Sequence, residues 1–428
     1  MIEKNGKLSE KAILVGVAGP NFSRWQTREH LEELALLADT AGANVIETIV
    51  QERKKIDTTY YIGRGKVEEL NEMVEDLAAD MLIFDDDLTP AQAKNIGNVV
   101  KKKVIDRSGL ILDIFARRAK TREARTQVEL AQLHYLLPRL TRQWTHLSRQ
   151  VGGIGTRGPG ETQLEVDRRM IRKRISSLEK DLEKIERQRS LRRKHRDRVF
   201  KAALVGYTNV GKSTLLQAMT SANVLVEDRL FATLDATVRA LEIAKHESIL
   251  LIDTVGFIRK LPHHLVASFK STLEEAREAD LLLHVIDVTH PQFEEQIETV
   301  NEVLKDLDLT DRDQLYVFNK VDQLETPGMI ATLKEKYNPS VFISARRGMF
   351  LEEFKAALVK FSRTHEQESS VVLHSSQGRL LAKVYAMATV LERRDIEDKI
   401  ELRFRTSHEK TAQLQAMLSA ETTLEKGQ

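Results

Sequence analysis

The stretch AALVGYTNVGKSTLLQAM, residues 202–219, constrains the fold more than any other part of the chain. It fits the spacing G-x-x-x-x-G-K-[ST] from Gly206 to Ser213, set between a short apolar run and a segment of helix formers. A strand that turns through glycine into a helix leaves the first helical amides unpaired and pointing inward, which makes a cradle for phosphate oxygens. In that geometry Gly206, Tyr207, Thr208, Asn209, Val210 and Gly211 surround the phosphates, with Thr214 in the first helical turn. Lys212 reaches the β and γ oxygens, and the Ser213 hydroxyl binds Mg²⁺. The apolar runs SILLIDTVG, ADLLLHVIDV, DQLYVFNK and SVFISA alternate with helical segments, so the surrounding region reads as a doubly wound α/β domain.

Three further elements follow the loop. LLIDTVG, residues 250–256, puts Asp253 at the end of an apolar run, where its carboxylate holds a metal through water, ahead of Thr254 and Val255. Gly256 lets a backbone amide approach a γ-phosphate, the spacing of a D-x-x-G switch element. FNKVD supplies Asn319, Lys320 and Asp322. An aspartate carboxylate accepts hydrogen bonds from guanine N1 and the exocyclic amine, a pair of donors that adenine lacks. Ser344, Ala345 and Arg346 of ISAR sit where a backbone amide meets guanine O6. Between the loop and Asp253 a threonine must cap Mg²⁺ and sense the γ-phosphate, and LFATLDATVR offers Thr233 and Thr237.

In this order and spacing the elements resemble the Ras-like GTPases of the translation-factor superclass. The resemblance implies GTP and GDP as ligands, a metal site of Ser213, Thr233 and Asp253, and Lys212, Thr233 and Gly256 as the groups acting at the γ-phosphate. Its FxTL pattern favours Thr233 over Thr237. The chain departs from Ras at Phe257, where those enzymes carry a glutamine that orients the attacking water. A phenyl ring neither donates nor accepts that hydrogen bond, so unassisted hydrolysis is expected to be slow. Ras-type sites alone turn over on the order of 10⁻⁴ s⁻¹, and outside help is worth ~10³ to 10⁵. Asn209 stands where several GTPases of the superclass use an amide oxygen to help bind K⁺, a cation able to stand in for an arginine finger.

Charge is unevenly placed. The net charge of +2 conceals 23 Lys plus Arg against 10 Asp plus Glu between Arg117 and Arg198, so that segment carries +13 and the remainder −11. Such asymmetry points to a polyanion-binding segment on a neutral or acidic body, or to a solvated helix pair with basic faces. Within it VGGIGTRGPGETQLEVDRR, residues 151–169, crowds glycines; Gly153, Gly155 and Gly158 satisfy the dinucleotide fingerprint G-x-G-x-x-G. That reading fails on context, because the fingerprint needs a strand before it and RQWTHLSRQ has the character of a helix end. The glycines fit the tip of a helical hairpin, with Arg157 exposed there and Arg149, Arg168, Arg169, Arg172, Lys173 and Arg174 near it; the alternative is a flexible hinge. Compact and cationic, such a tip enters a narrow phosphate-lined space.

At 428 residues the chain is expected to form several domains. AILVGVA, NVIETIV, TTYYIGRG and DMLIFD read as strands alternating with helices, an N-terminal α/β domain over residues 1–118. Gly63 and Gly65 there read as a strand-to-helix turn, or as an anion site with Lys66. Leu130, Leu133, Leu137, Leu140, Trp144 and Leu147 step by three and four, as do Ile171, Ile175, Leu178, Leu182 and Ile185. They predict an antiparallel helical hairpin over 119–199, bent near Pro138 with its tip at 152–160, or one helix docked on each neighbouring domain. The G domain spans 200–363. Residues 364–428 read as a small α+β domain with a helix GRLLAKVYAMATVL, a strand KIELRFR and a last helix EKTAQLQAML. There is no cysteine, no apolar run near the roughly 20 residues of a membrane helix, and no apolar core in the first residues, so a cytoplasmic protein without membrane association is expected.

GGIGTRGPGETQLEVDRR ahead of GYTNVGKST, FATLDATVR, DTVGFI and NKVD, with YIGRGKVEEL near the N-terminus, resembles the HflX family of ribosome-associated GTPases. Phe257 is part of that family's pattern. The resemblance implies a monomer that binds the ribosome through its large subunit and RNA, with the glycine tip near the peptidyl transferase centre. GTP binding then supports splitting of stalled ribosomes, and ribosomes stimulate hydrolysis. ATP binding is also reported in the family, and NKVD does not explain it. Two rival readings are an RNA-binding assembly factor that uses GTP as a structural ligand, and a signalling GTPase acting on protein partners.

Overall fold

In this computed structural model the structure describes residues 9–20, 22–140, 163–193, 199–220, 230–244, 247–260, 275–324, 328–364, 366–407, 411 and 414. The first sheet is wholly parallel. Its strands β1 (Lys11–Ala18), β2 (Asn44–Glu52), β3 (Met81–Phe84) and β4 (Lys103–Asp106) stand in the order β2-β1-β3-β4. Helices α1 (Arg24–Ala41) and α4 (Arg107–Arg118) share one core with Ala12, Leu14 and Ile83. Helices α2 (Arg64–Asp76) and α3 (Pro90–Val100) share another with Ile13, Val15, Leu82 and Phe84 on the opposite face. Alternation along each strand therefore feeds two helical layers. Caps set the entries: Ser23 with Gln26 and Thr89 with Gln92 form capping boxes, and Asp106 accepts from the Gly109 amide.

One expected strand of this domain is absent. TTYYIGRG forms a turn in which Asp57 Oδ1 accepts from the amides of Thr59 and Tyr60, both at 2.8 Å, and Tyr61 takes a φ of 66°. The aspartate turn outcompetes the aromatic strand propensity. Gly63 caps α2, and Lys66 is paired with Glu69 at 2.5 Å.

Helix α5 (Arg122–Leu136) packs on α6 (Gln163–Arg193) through Leu130, Ile171, Ile175 and Leu178, with Leu133 and Leu182 alongside. The partners run in opposite senses, Glu129 with Arg174 and the Leu140 carbonyl with Arg168, so the two helices are antiparallel. A 3₁₀ turn over Leu137–Arg139 marks the bend at Pro138. At 31 residues α6 is about 45 Å long. Trp144, Leu147 and the glycine tip at 152–160 lie outside the described residues.

The third sheet has the order β10-β9-β8-β5-β7-β6, made of β5 (Lys201–Val205), β6 (Thr237–Ala244), β7 (Glu247–Asp253), β8 (Leu281–Asp287), β9 (Asp313–Asn319) and β10 (Ser340–Phe342). Only β6 runs antiparallel. Among the described residues, helices α7 (Lys212–Thr220), α8 (Phe293–Asp306), α9 (Met329–Lys336) and α10 (Leu351–Thr364) belong to this doubly wound unit. Strand order reverses beside β5, which puts a crevice at its carboxyl end.

The C-terminal sheet is antiparallel, with β11 (Glu366–His374), β12 (Thr389–Ile396) and β13 (Lys399–Ser407) in the order β11-β13-β12 and helix α11 (Gly378–Met387) on one face. The expected helix GRLLAKVYAMATVL is cut short here. It ends at Met387, and Thr389 onward becomes an edge strand paired with β13. Ladder bonds to a neighbouring strand override a weak helical pattern. The last helix EKTAQLQAML falls almost entirely outside the described residues.

Candidate functional site

The loop after β5 is shaped by two glycines. Gly206 has a φ of 148°, and a Cβ there would lie 2.3 Å from the Val285 carbonyl oxygen; Gly211 has a φ of 96°, and a Cβ would lie 2.3 Å from Asn319 Nδ2. Between them Asn209 adopts a φ of 62°, a conformation its short side chain tolerates. The backbone of the loop is stitched to the segment after β7: the Thr208 amide donates to the Phe257 carbonyl at 2.7 Å and the Phe257 amide to the Gly206 carbonyl at 3.0 Å.

Lys212 is buried, and its Nζ donates to the carbonyls of Gly206 at 3.1 Å and Tyr207 at 2.7 Å. Burial lowers its pKa to about 8, with Asp253 opposing the shift. Ser213 Oγ donates to Asp253 Oδ2 at 2.6 Å, Thr233 Oγ1 donates to the same oxygen at 3.0 Å, and the two hydroxyls lie 2.7 Å apart. Asp253 is fully buried, and its other oxygen, Oδ1, has no hydrogen-bond partner. Burial raises the Asp253 pKa against the pull of Lys212 and the two hydroxyls. A lone carboxylate oxygen beside two hydroxyls is a donor set for a hard divalent cation. Thr237 is elsewhere: it pairs with Asp253 through the β6 ladder, and its hydroxyl faces the Asp235 carbonyl at 3.5 Å. Thr208, Asn209, Gly211, Lys212, Ser213, Thr214, Thr233, Thr254 and Gly256 line one narrow cleft. A Cβ on Gly256 would come within 2.7 Å of Thr208 Cα and 3.0 Å of Lys212 Nζ. Val255, between Thr254 and Gly256, is buried.

Phe257 is 2% exposed, its ring in the core away from the cleft. It offers nothing to an attacking water.

The far end of the site is tied to the loop by one side chain. Asn319 Nδ2 donates to the Val210 carbonyl at 2.8 Å while its Oδ1 accepts from the Ala345 amide at 2.9 Å. Lys320, with a φ of 65°, donates to the Asn209 carbonyl at 3.3 Å and pairs with Asp287 at 2.6 Å. The Asp322 side chain is nearly buried; Arg347 Nε lies 3.0 Å from it. The Ser344 hydroxyl first, then the neighbouring arginines, hold its carboxyl below the usual range. Ser344 and Ala345 are buried, and Arg346 is exposed.

Sequence reasoning missed a buried charge cluster next to the loop. Arg107, 1% exposed, pairs with Asp85 at 2.8 Å, with Glu33 of α1, and with the Arg259 carbonyl at 3.2 Å. Lys260 pairs with Asp85 at 2.9 Å and with Asp86. The Tyr207 hydroxyl donates to Glu33 and accepts from the Arg259 amide at 2.8 Å. The segment after Gly256 is thus clamped by carboxylates of the first domain. No local pattern signals this, because its members come from α1, the β3 end, α4, the loop and residues 259–260.

A doubly wound sheet with this loop, a D-x-x-G turn and an Asn-Lys-x-Asp strand end define a P-loop protein of the GTPase class. Family comparisons divide the chain into three matches: residues 28–116 match "GTP-binding GTPase N-terminal", 118–196 "GTP-binding GTPase Middle Region" and 201–320 "50S ribosome-binding GTPase". GTPase HflX of Magnetococcus marinus is 46% identical over 91% of this chain and 90% of its own length. GTPase HflX of Escherichia coli is 44% identical over 89% of both, and that of Flavobacterium psychrophilum 52% identical over 75% of this chain and 78% of its own. A solved GTP-binding protein of Sulfolobus solfataricus, in complex with GDP, is 26% identical with a TM-score of 0.45, over 82% of this chain and 98% of that one. The chain belongs to the HflX family of GTPases.

Proposed function

We propose that the protein hydrolyses GTP with Mg²⁺ bound, docks on the large ribosomal subunit in a nucleotide-dependent way, and splits or rescues stalled ribosomes. The observation that carries the nucleotide part is the meeting of Ser213, Thr233 and Asp253 beside Lys212, with Asp253 Oδ1 unpartnered. Ser213 and Thr233 would hold Mg²⁺, with Asp253 behind them; when bound, the ion neutralises charge developing on the phosphate oxygens. Lys212 leaves its two carbonyls for the β and γ oxygens, and the amides of Gly206 to Ser213 bind the remaining ones. Water attacks the γ-phosphorus in line, while Lys212 and the loop amides stabilise the charge that builds up. Gly256 supplies an amide at the γ-phosphate, and Thr254 and Val255 hold that turn against the loop. Asp322 accepts from guanine N1 and its amine, the Ala345 amide meets O6, and Ser344, Arg346, Asn319 and Lys320 keep that pocket in shape. Asn209 helps hold K⁺ beside the phosphates, as in related GTPases; equal rates in KCl and NaCl would remove this element.

The ribosomal part draws on the family and on the +13 charge of residues 117–198. In this reading residues 1–118 and 119–199 contact ribosomal RNA, the tip at 152–160 acts deepest, 200–363 is the G domain, and 364–428 is an appendage to it. A cytoplasmic, ribosome-associated monomer fits a chain in which, among described residues, no helix is long and apolar enough to cross a membrane. Phe257 makes slow turnover the expectation for the protein alone. Purified ribosomes added to the chain and GTP test the reading: strong stimulation supports the enzyme switch, and none supports an assembly factor with GTP as a structural ligand.

A further inference from the structure

Asp235 lies two residues past Thr233, yet its side chain turns away from the phosphate cleft. Its Oδ2 accepts from the backbone amides of Lys120 and Thr121, both at 3.2 Å, and its Oδ1 from the Thr121 hydroxyl at 2.6 Å. Thr121 is the N-cap of α5, and its hydroxyl oxygen also accepts from the Ala124 amide at 3.1 Å. Asp235 therefore closes the N-terminus of a helix more than a hundred residues away in sequence, where a carboxylate is favoured by both the unpaired amides and the helix dipole. On the other side of Thr233, the Phe231 amide donates to Thr208 Oγ1 of the loop at 3.0 Å. The Phe231 ring, 1% exposed, packs edge-on against Phe115 of α4 with centroids 4.6 Å apart. Leu234, next to Thr233, is buried in the same core.

Thr233 is thus suspended between two anchors while its hydroxyl bonds to Ser213 and Asp253. We propose that Asp235 is a positioning residue for Thr233, and that its seat on the N-cap of α5 ties the γ-phosphate sensor to the basic helical arm. The proposal rests on the GTP reading above. A segment already held in its bound geometry loses less freedom when the ligand arrives. In the GTP reading Thr233 caps Mg²⁺ and senses the γ-phosphate together, so the benefit falls chiefly to the triphosphate. By reciprocity, a partner that moves α5 alters affinity for GTP more than that for GDP.

The test titrates the full chain, in Mg²⁺ buffer, with a non-hydrolysable GTP analogue and with GDP, for wild type, Asp235→Ala and Thr121→Val. Charge-assisted bonds of this kind lead us to expect the analogue-to-GDP affinity ratio to fall about tenfold in Asp235→Ala, with GDP affinity changed far less than that for the analogue. Thr121→Val should shift the ratio the same way by less. Asp235→Asn, which keeps an acceptor oxygen for the two amides, should recover most of it, and Thr121→Val, which removes the 2.6 Å bond to Asp235, carries the comparison if Asp235→Ala folds poorly. A ratio equal to that of wild type, or equal weakening of both ligands as a merely structural contact would give, overturns the proposal. A wild-type chain that binds neither nucleotide overturns the GTP reading instead, and this inference with it.

Discussion

Lys212 gives the sharpest pH prediction. In the nucleotide-free chain it is buried against two carbonyls, and burial lowers its pKa to about 8. Phosphate oxygens around the ammonium favour the charged form, so binding raises that pKa well above 8. Between the two values, binding must take up a proton, and affinity falls as pH rises. At pH 7 about nine-tenths of Lys212 is charged and at pH 9 about one-tenth, so nucleotide affinity should weaken about tenfold across that range, or about 1.4 kcal/mol. Calorimetry at pH 7, 8 and 9 in buffers of different ionisation enthalpy measures both quantities. Uptake should approach half a proton near pH 8 and a full proton near pH 9. Lys212→Arg, whose guanidinium keeps its charge, should lose the pH dependence. Constant affinity and no proton uptake from pH 7 to 9 would refute the reasoning, because a lysine that titrates near 8 when free and well above 9 when bound takes up a proton on binding.

The other predictions concern separate parts of the molecule. Asp322→Asn should shift preference from guanine to xanthine and weaken GTP binding by about a hundredfold or more, since a site built to accept two donors rejects a mismatch strongly; competition between GTP and XTP measures it, and unchanged selectivity would put base reading elsewhere. Gly211→Ala forces a φ of 96° on alanine and drives its Cβ onto Asn319 Nδ2. About 1–2 kcal/mol of backbone strain plus about 1–3 kcal/mol for the displaced amide should lower both melting temperature and GTP affinity. Arg107→Met takes one cationic partner from Asp85 and Glu33, leaving Lys260 beside Asp85 and the Tyr207 hydroxyl on Glu33, and should cost about 1–3 kcal/mol in urea unfolding at neutral pH. Burial would raise the Asp85 pKa, but Arg107, Lys260 and Arg259 outweigh it and hold the carboxyl below its usual range. That stabilisation is therefore present at neutral pH and lost as pH falls through the folded-state value, so wild type and variant should converge in acid.

What could be read from the chain divides along the range of the interactions involved. The turn from Gly206 to Ser213 is set by residues adjacent in sequence, so its motif announces it. The core strands β5, β7, β8 and β9 are short apolar runs, legible because both faces are covered. Thr233 and Thr237 stand close together in sequence, and only the register of β6 on β7 carries Thr237 into a ladder. The edge strand β12, exposed along most of its length, has no apolar face to advertise it. The Asp57 turn hid behind two tyrosines. Least legible were the contacts that join units, Arg107 with Asp85 and Glu33, and Asp235 with Thr121: each pairs charged or polar residues whose separate surroundings look like ordinary surface.

The central claim is that the γ-phosphate of GTP sets how this chain docks on the ribosome. Sedimentation of the purified protein with ribosomes, in a GTP analogue and in GDP at two salt concentrations, tests it most directly. Co-sedimentation in the analogue that drops in GDP and weakens with salt, with dissociation into subunits, is the predicted result. Equal binding with either nucleotide, or none with both, would contradict it.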